Sequence, residues 1–501
     1  MNKRLAPTGN DDSLTYAGSS LGGLRRSFVT VLVAFSMVTA SGQARDRNQR
    51  PDAGSSPSLT PVILKRQLSN GLPVWIVEQH ELPVVQMSLQ VLTGTDADPT
   101  GRYGIASLTS AMLTAGAGSR SAVEIADALD VLLANLSASS GVDSSFLQLY
   151  VPVGRLADAL PLMADVAQRP TFPQQELERL RQQRLAVLLN ARDDPDTIAA
   201  LAIARGIYGP SHRNRAAQIG TADSIKALTP DDLKAFHQSA YRPGNSTLIV
   251  VGDVAPDRVL PLLETHFGKW QPARVNEVVH EAAPALQRPP RQLMLIDMPN
   301  APQSRILIGG MAASNSMSDF FPIQVLNAVL RGRFSSGRNP TLRDYTTGVR
   351  SGFDLRKSAG PFVVAAAAQA DKTAESLSEL LNELAGMLKD IPEDELARAK
   401  DDIARHFPTA FEATGRISSR LHALESLVVY GLPDDYYSKY VPAIQAVGAA
   451  DVRRVAQQYI QSDHLAVVIV GDRKTIEPPI RALNFGSIKE LSIDEVLAPA
   501  R

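Results

Sequence analysis

The hexapeptide Leu248–Asp253 (LIVVGD) returns in residue type as Val467–Asp472 (VVIVGD), 219 positions further along the chain. An unbroken apolar run of this length, closed by Gly-Asp, predicts a strand. The pattern P-x-x-E-L-x-R at 173–179 also returns after 219 positions, at 392–398. Either match alone is ordinary strand or helix-start chemistry, because Pro and acidic residues favour first helical turns anyway. The shared offset predicts that the chain consists of two homologous halves.

Each half repeats a similar order of strands and helices around these landmarks. Val84–Leu92 and Phe146–Val153 have the composition of strands in the first half, as Arg305–Met311 and Phe362–Gln369 have in the second. Hairpin-capable strands followed by paired helices predict the α+β class, with two homologous domains that are each an antiparallel sheet covered by helices. The predicted divisions are a signal peptide with a long n-region (1–44), a disordered leader (45–60), an N-terminal domain (61–275), a linker (276–292), a C-terminal domain (293–486) and a tail (487–501).

The composition excludes several classes of protein. The 501 residues include no cysteine, which rules out disulfides, a thiol nucleophile and cysteine-ligated zinc or iron–sulfur centres. The 51 basic residues balance 52 acidic residues, so there is no electrostatic argument for nucleic-acid binding. The chemistry that remains open is that of histidine, carboxylates and hydroxyl groups.

An export signal is predicted near the N-terminus. Arg25 and Arg26 precede the apolar run Phe28–Ala40, which at 13 residues is shorter than the roughly 20 residues that a membrane span needs. Small residues follow, up to Ala44, as at a signal-peptidase site. The paired arginines resemble a twin-arginine signal, although Thr30 stands where a lysine is common. The run therefore predicts export to a periplasm with no membrane span left after cleavage; an uncleaved anchor or a buried helix are the alternatives.

Several segments are distinctive when they are taken together. They are Leu64–Glu78 (LKRQLSNGLPVWIVE), Gly104–Ala106 (GIA), Asp193–Pro195 (DDP), Gly348–Ser351 (GVRS) and Tyr430–Tyr437 (YGLPDDYY). They resemble the pitrilysin/insulinase family of zinc peptidases, the inverzincins, and in particular its bacterial two-domain members. The resemblance extends from Leu64 to about Gly486. It implies the repeated α+β domains of the LuxS and mitochondrial-processing-peptidase fold, which face one another and enclose a peptide in a chamber.

The zinc site of that family is missing from this sequence. Active members carry His-x-x-Glu-His on a helix, where the two histidines share a face and bind zinc while the glutamate activates water. The matching positions hold Ser107, Ser110 and Ala111, and the downstream segment Leu180–Arg192 has no acidic residue to complete a metal site. The eight histidines include no pair at the spacing of ligands on one helix. We therefore predict no catalytic residue, no metal ligand and no cofactor in this chain.

The second half retains part of another family feature. In the family, an arginine and a tyrosine of the C-terminal domain can reach a partner's zinc site and hold the peptide, since both groups can donate to a developing oxyanion. Arg343 matches the arginine, Thr347 stands at the tyrosine position, and Tyr345 lies two residues earlier. These three residues are the candidate support for a substrate or a partner site. The alternative is that Arg343 forms a surface ion pair and Tyr345 packs.

Three functions follow from the resemblance. The first is a noncatalytic subunit that forms a heterodimer with a zinc-bearing homologue, so that zinc belongs to the partner and a peptide is the substrate. The second is a stand-alone peptide-binding or scaffold protein, which uses the chamber for capture without cleavage. The third, ranked last, is an active zinc peptidase with a non-standard site.

Overall fold

Two six-stranded sheets, one in each half of the chain, form the centre of the molecule. The structure is a computed structural model and describes residues 62–209, 212–271, 290–315, 317–335, 339–412 and 416–497. The predicted signal peptide (1–44), the predicted leader (45–60) and positions 276–289 of the predicted linker lie outside the described residues. Within the described part of the chain, no helix is long and apolar enough to cross a membrane.

The first half supplies strands and helices in alternating groups. Its strands are β1 (Leu64–Gln67), β2 (Pro73–Glu78), β3 (Val84–Val91), β4 (Gly116–Ala117), β5 (Arg120–Ser121), β6 (Asn135–Ser140), β7 (Ser145–Pro152) and β8 (Ser246–Gly252). Its helices are α1 (Ile105–Met112), α2 (Ala122–Val131), α3 (Leu156–Gln168), α4 (Gln174–Asn190), α5 (Pro195–Tyr208), α6 (Ala222–Ala227), α7 (Pro230–Ala240) and α8 (Pro256–Phe267).

The second half follows the same plan. Its strands are β9 (Gln292–Asp297), β10 (Gln303–Met311), β11 (Thr346–Phe353), β12 (Pro361–Gln369), β13 (Ala466–Gly471) and β14 (Ile488–Leu491). Its helices are α9 (Met317–Ser335), α10 (Pro340–Tyr345), α11 (Thr373–Gly386), α12 (Glu393–Glu412), α13 (Arg416–Tyr430), α14 (Tyr436–Ala446), α15 (Ala449–Tyr459), α16 (Arg473–Ala482) and α17 (Ile493–Leu497).

The two sheets confirm the predicted duplication. The strand order of the first sheet is β1-β2-β8-β3-β7-β6, and that of the second, read from the equivalent edge, is β14-β9-β13-β10-β12-β11. Helices α7 and α15 begin at Pro230 and Ala449, and strands β2 and β9 begin at Pro73 and Gln292, so both pairs keep the offset of 219 residues. The α+β class with two sheets covered by helices is therefore confirmed.

The sheets are mixed, which corrects the prediction of purely antiparallel pairing. Strand β2 runs parallel to β8 in the first sheet, and β9 runs parallel to both β13 and β14 in the second. Antiparallel neighbours can be joined by a tight hairpin, whereas parallel neighbours need a long crossover. Strands β2 and β8 are separated by most of the first half, so the chain has the length for such a crossover.

Each half covers the outer face of the other half's sheet with one helix. Helix α13 of the second half packs Leu421 and Leu424 against Val77 and Ile249 of the first sheet. Helix α5 of the first half packs in the same way on the second sheet, in a cluster that includes Ile198 and Val468. With both faces covered, every residue of β8 is buried, which explains its continuous apolar sequence. This exchange joins the described residues of the two halves into one compact unit.

The segment predicted as a tail belongs to the second domain. Strand β14 pairs with β9 at the edge of the second sheet, which is the place that β1 occupies in the first sheet. Helix α17 buries Val496 in the cluster under α5, and Arg192 forms an ion pair with Asp494. The domain therefore extends at least to Leu497 rather than ending at 486. The sequence signal was weak because β14 is only 4 residues long and reads Ile-Lys-Glu-Leu.

Candidate functional site

The helix that would carry the zinc motif is α1, and it is retained as a packing element. Ile105, Leu108 and Met112 are buried in the core of the first half. Ser107 and Ala111, one helical turn apart and therefore on one face, are half-buried, whereas Ser110 is fully buried. The sequence prediction of a helix with its apolar spacing intact is confirmed.

The start of α1 is held by a buried carboxylate. The N-cap Gly104 has no side chain to cap the helix, and its φ of 87° lies in the left-handed region that favours glycine. Asp98 supplies the cap instead, because its two carboxylate oxygens accept hydrogen bonds from the backbone N–H groups of Gly104 (2.6 Å) and Ala106 (3.0 Å). Burial raises the pKa of Asp98 to about 7 and outweighs the opposing effect of these two hydrogen bonds.

Ser107 is bonded to an arginine where the first histidine ligand would stand. Its hydroxyl donates to the carbonyl of Gln218 at 2.8 Å and accepts a hydrogen bond from Nη1 of Arg184, on α4, at 2.9 Å. The same Nη1 lies 3.4 Å from the carbonyl oxygen of Gly104 and 3.1 Å from that of Ile219. A guanidinium group, which is a permanent cation, therefore lies at this face of α1.

Ser110, at the position of the catalytic glutamate, belongs to a buried network. Its hydroxyl lies 3.0 Å from the phenol oxygen of Tyr241, and both residues are enclosed. Tyr241 in turn stacks on His237, with the ring centroids 4.8 Å apart. Burial raises the pKa of Tyr241 and lowers that of His237 to about 4, so both side chains are neutral at pH 7. Ser110 thus serves the packing between α1 and α7.

The residues at this site do not fit zinc. Ala111 has no donor atom, the hydroxyl of Ser107 is committed to protein partners, and Ser110 faces Tyr241. Arg184 adds a positive charge, which disfavours a second cation nearby. Within the described residues, no group of three or more His, Cys, Asp or Glu side chains is placed to hold a metal ion.

The three candidates of the second half lie at the edge of its sheet. Arg343 lies exposed in the last turn of α10 and forms an ion pair with its neighbour Asp344 at 2.8 Å. The ring of Tyr345 faces the ammonium group of Lys372, which lies 5.2 Å from the ring centroid. Thr347, also exposed, pairs with Ala367 in the ladder between β11 and β12. The hydrogen bonds and ion pairs of these residues remain within the second half, and their role at a partner's site stays a prediction.

Sequence reasoning missed two residues that organise the site. Arg184 lies in the segment that was noted for its lack of acidic residues, but its bond to Ser107 joins positions 77 residues apart. Asp98 caps a helix from 6 residues before Gly104, beyond the usual reach of a capping motif. The left-handed glycine at the start of α1 was the one local signal that an outside cap was needed.

Two family models match the chain. The model described as Insulinase (Peptidase family M16) matches residues 74–205, and the one described as Peptidase M16 inactive domain matches residues 227–403. An uncharacterized zinc protease of Mycobacterium leprae is 25% identical over 443 residues, which cover 84% of this chain and 95% of that protein. The Helicobacter pylori protein named non-peptidase homolog YmxG is 23% identical, with 80% and 92% covered. The crystal structure of a peptidase M16 inactive domain from Pseudomonas fluorescens matches with a TM-score of 0.71 and 24% identity, covering 82% of this chain and 98% of that one.

Proposed function

The chain belongs to the insulinase family of peptidases (peptidase family M16), and on this premise we propose that it is a noncatalytic subunit of a periplasmic zinc peptidase. It pairs with a homologous chain that holds the zinc, and the two chains together enclose and position a peptide. The observation that carries the proposal is the 2.9 Å hydrogen bond from Arg184 to Ser107. It puts a fixed cation on the helix face where an active member needs a metal.

The loss of the metal site involves the whole site and not one ligand. Restoring a histidine at Ser107 alone would leave Ala111 without a donor and Arg184 in place. The inactive-domain match over residues 227–403 and the name of the Helicobacter relative support the same interpretation. The Mycobacterium relative is named a zinc protease, whereas this chain has Ser107 and Ala111 at the two histidine positions.

Peptide holding is supported by the free edges of the two sheets. Strand β6 is one of the two edge strands of the first sheet and β11 is one of the two edge strands of the second, and within the described residues each has a neighbouring strand on one side only. An exposed strand edge presents unpaired N–H and C=O groups, which can pair with an extended peptide. Helix α1 packs beside β6, so a peptide on this edge would run close to the helix that carries Ser107. Arg343 and Thr347 lie next to the other edge.

Co-purification with a zinc-bearing homologue tests the proposal. A chain from the same organism that carries His-x-x-Glu-His is expressed with and without this protein, and cleavage of quenched fluorescent peptides is measured. We expect a stable complex whose chelator-sensitive rate exceeds that of the homologue alone by roughly tenfold or more. Arg343→Ala should lower this rate without dissociating the complex. Arg179→Ala, on the solvent side of α4, is the control and should leave the rate unchanged. Absence of both association and stimulation would overturn the proposal.

Export is the part of the proposal that rests on the sequence alone. Arg25, Arg26 and the apolar run Phe28–Ala40 support it. Cell fractionation of the full-length chain should recover a shortened protein in the periplasm, and replacement of both arginines by lysine should retain the precursor inside the cell if the signal is of the twin-arginine type. A full-length protein found only in the cytoplasm would contradict export.

A further inference from the structure

Arg184 is a half-buried cation without an anionic partner at hydrogen-bonding distance. All three of its hydrogen bonds come from Nη1 and go to uncharged oxygens: the hydroxyl of Ser107 and the carbonyls of Gly104 and Ile219. Its Nε and Nη2 atoms donate to no atom of the described residues. No carboxylate of the described chain lies within ion-pair distance of this guanidinium group.

The carboxylate that acts on Arg184 electrostatically already accepts hydrogen bonds from other groups. Asp98 influences Arg184 electrostatically, but both of its oxygens accept backbone hydrogen bonds at the start of α1. Arg181, one turn earlier on the same helix, does have a counter-ion, because it forms an ion pair with Glu178 at 3.0 Å. Partial burial without a counter-ion is unfavourable for a guanidinium group, and a ligand anion at Arg184 would supply the missing counter-charge.

Partial exposure leaves Arg184 and the neighbouring face of α1 accessible to a ligand. Ser107, Ala111 and Arg184 all keep part of their surface exposed, whereas the neighbours Leu108 and Met112 are fully enclosed. Two adjacent guanidinium N–H groups are the donor pair that matches the two oxygens of a carboxylate. Ala111, one turn from Ser107 on the same helix face, is small and carries no polar atom that would compete for a ligand.

We propose that Arg184 binds a carboxylate of the peptide, so that the former metal site recognises either the C-terminus or an acidic side chain of the ligand. This inference rests on the proposed peptide-holding function and specifies which peptides are held. A C-terminal carboxylate and an acidic side chain are both planar anions, and Nε and Nη2 of Arg184 can donate to either. A peptide carbonyl could accept from the same nitrogens but would leave the positive charge uncompensated.

The test uses the full chain and four versions of one fluorescent decapeptide. Two versions differ only in a C-terminal carboxylate or carboxamide, and two differ only in an internal Asp or Asn. Fluorescence anisotropy at pH 7 and low salt should show roughly tenfold or more tighter binding for at least one carboxylate version than for its neutral counterpart, as expected for a charge-assisted pair. The pair of peptides that shows the difference identifies the source of the carboxylate.

Variants then assign the effect to Arg184. In Arg184→Gln the preference should fall below twofold while the neutral peptides bind as before, and Arg184→Lys should keep part of the preference. Arg179→Gln, on the same helix, should keep all of it, and circular dichroism should show that each variant is folded. Equal binding of charged and neutral peptides, a preference that survives Arg184→Gln, or no binding by any version would overturn this inference. Failure of the subunit proposal is seen separately, in the co-purification experiment.

Discussion

Ser88, on β3 of the first half, donates a 2.6 Å hydrogen bond to the carboxylate of Glu425, on α13 of the second half. The same carboxylate oxygen accepts from Gln148 at 2.8 Å, and the other oxygen lies 2.8 Å from Nδ1 of His422. Glu425 is only 5% exposed. A buried carboxylate therefore links the two halves at the face where α13 covers the first sheet.

Removing this carboxylate should weaken the contact between the halves. In Glu425→Ala, the buried hydroxyl of Ser88 and the amide of Gln148 lose their acceptor, and each unsatisfied polar group costs about 1–3 kcal/mol. We expect the free energy of unfolding to fall by about 2–4 kcal/mol in urea denaturation. Glu375→Ala, which removes an exposed ion pair with Lys372, is the matched control and should cost less than about 1 kcal/mol. Equal losses in the two variants would contradict a structural role for Glu425.

A glycine on α5 permits the reciprocal contact on the second sheet. A Cβ atom added to Gly206 would lie 2.9 Å from the Cβ of Ala466 and would also meet the terminal methyl group of Met294. Ala466 belongs to a buried strand and cannot move aside, so Gly206→Ala should destabilise the protein by about 1–3 kcal/mol, although alanine is the better helix former. Gly332→Ala on α9, where a Cβ would meet no atom within 4 Å, should be neutral or stabilise by up to about 1 kcal/mol. Thermal unfolding of both variants checks the pair, and a stabilised Gly206→Ala would show that α5 does not pack this closely.

The exchange of α5 and α13 shows where sequence reasoning stops. The duplicated strands β8 and β13 and the duplicated helices α4 and α12 were predictable, because their signals are local runs and helix starts repeated at one offset. The cross-packing of α5 and α13 depends on which helix meets which sheet, and Leu421 would be apolar in either arrangement. Strand β14 was missed because its short, half-polar sequence is indistinguishable from a tail.

The candidate site likewise has features that the sequence predicts and features that it does not. The replacement of the two histidine ligands by Ser107 and Ala111, and of the glutamate base by Ser110, can be read from the sequence because the family motif is a local pattern on one helix. The hydrogen bond that replaces the metal could not, since Arg184 and Ser107 meet only after α4 has packed beside α1. Long-range polar contacts of this kind have no sequence period, so their partners must be read from the folded chain.

The raised pKa of Asp98 predicts a pH dependence of stability. Its pKa is about 7 in the folded chain against a usual value near 3.8, so between these values the folded state holds a proton that the unfolded state has lost. The free energy of unfolding should therefore fall as pH rises from about 4 to 7, by at most about 1.4 kcal/mol per pH unit. Above pH 7 this loss is complete, because both states are then ionised.

Asp98→Asn isolates this contribution. The amide cannot ionise, so the stability of the variant should change less between pH 5 and 8 than that of the wild type. The loss of one hydrogen-bond acceptor is a separate, pH-independent cost of about 1 kcal/mol. Urea denaturation at four pH values provides both profiles. Parallel profiles for the two proteins would show that Asp98 does not titrate in this range.

Reintroducing metal ligands on α1 tests how strongly Arg184 opposes a metal. Ser107→His together with Ala111→His gives two imidazoles one turn apart on one helix face, a spacing that binds Zn²⁺. In the wild type the guanidinium of Arg184 lies 2.9 Å from the hydroxyl of Ser107. The same positive charge would lie beside the histidine introduced at position 107, so we expect this double variant to bind zinc weakly. Adding Arg184→Gln should strengthen it by roughly tenfold or more, since a unit charge within about 4 Å in a partly buried site interacts by several kcal/mol. Competition with a chromogenic chelator measures the zinc affinity, and Arg179→Gln in the same background should leave it unchanged. If Arg184→Gln also leaves it unchanged, the missing ligands alone account for the lost metal site, and the arginine is not what keeps a cation out.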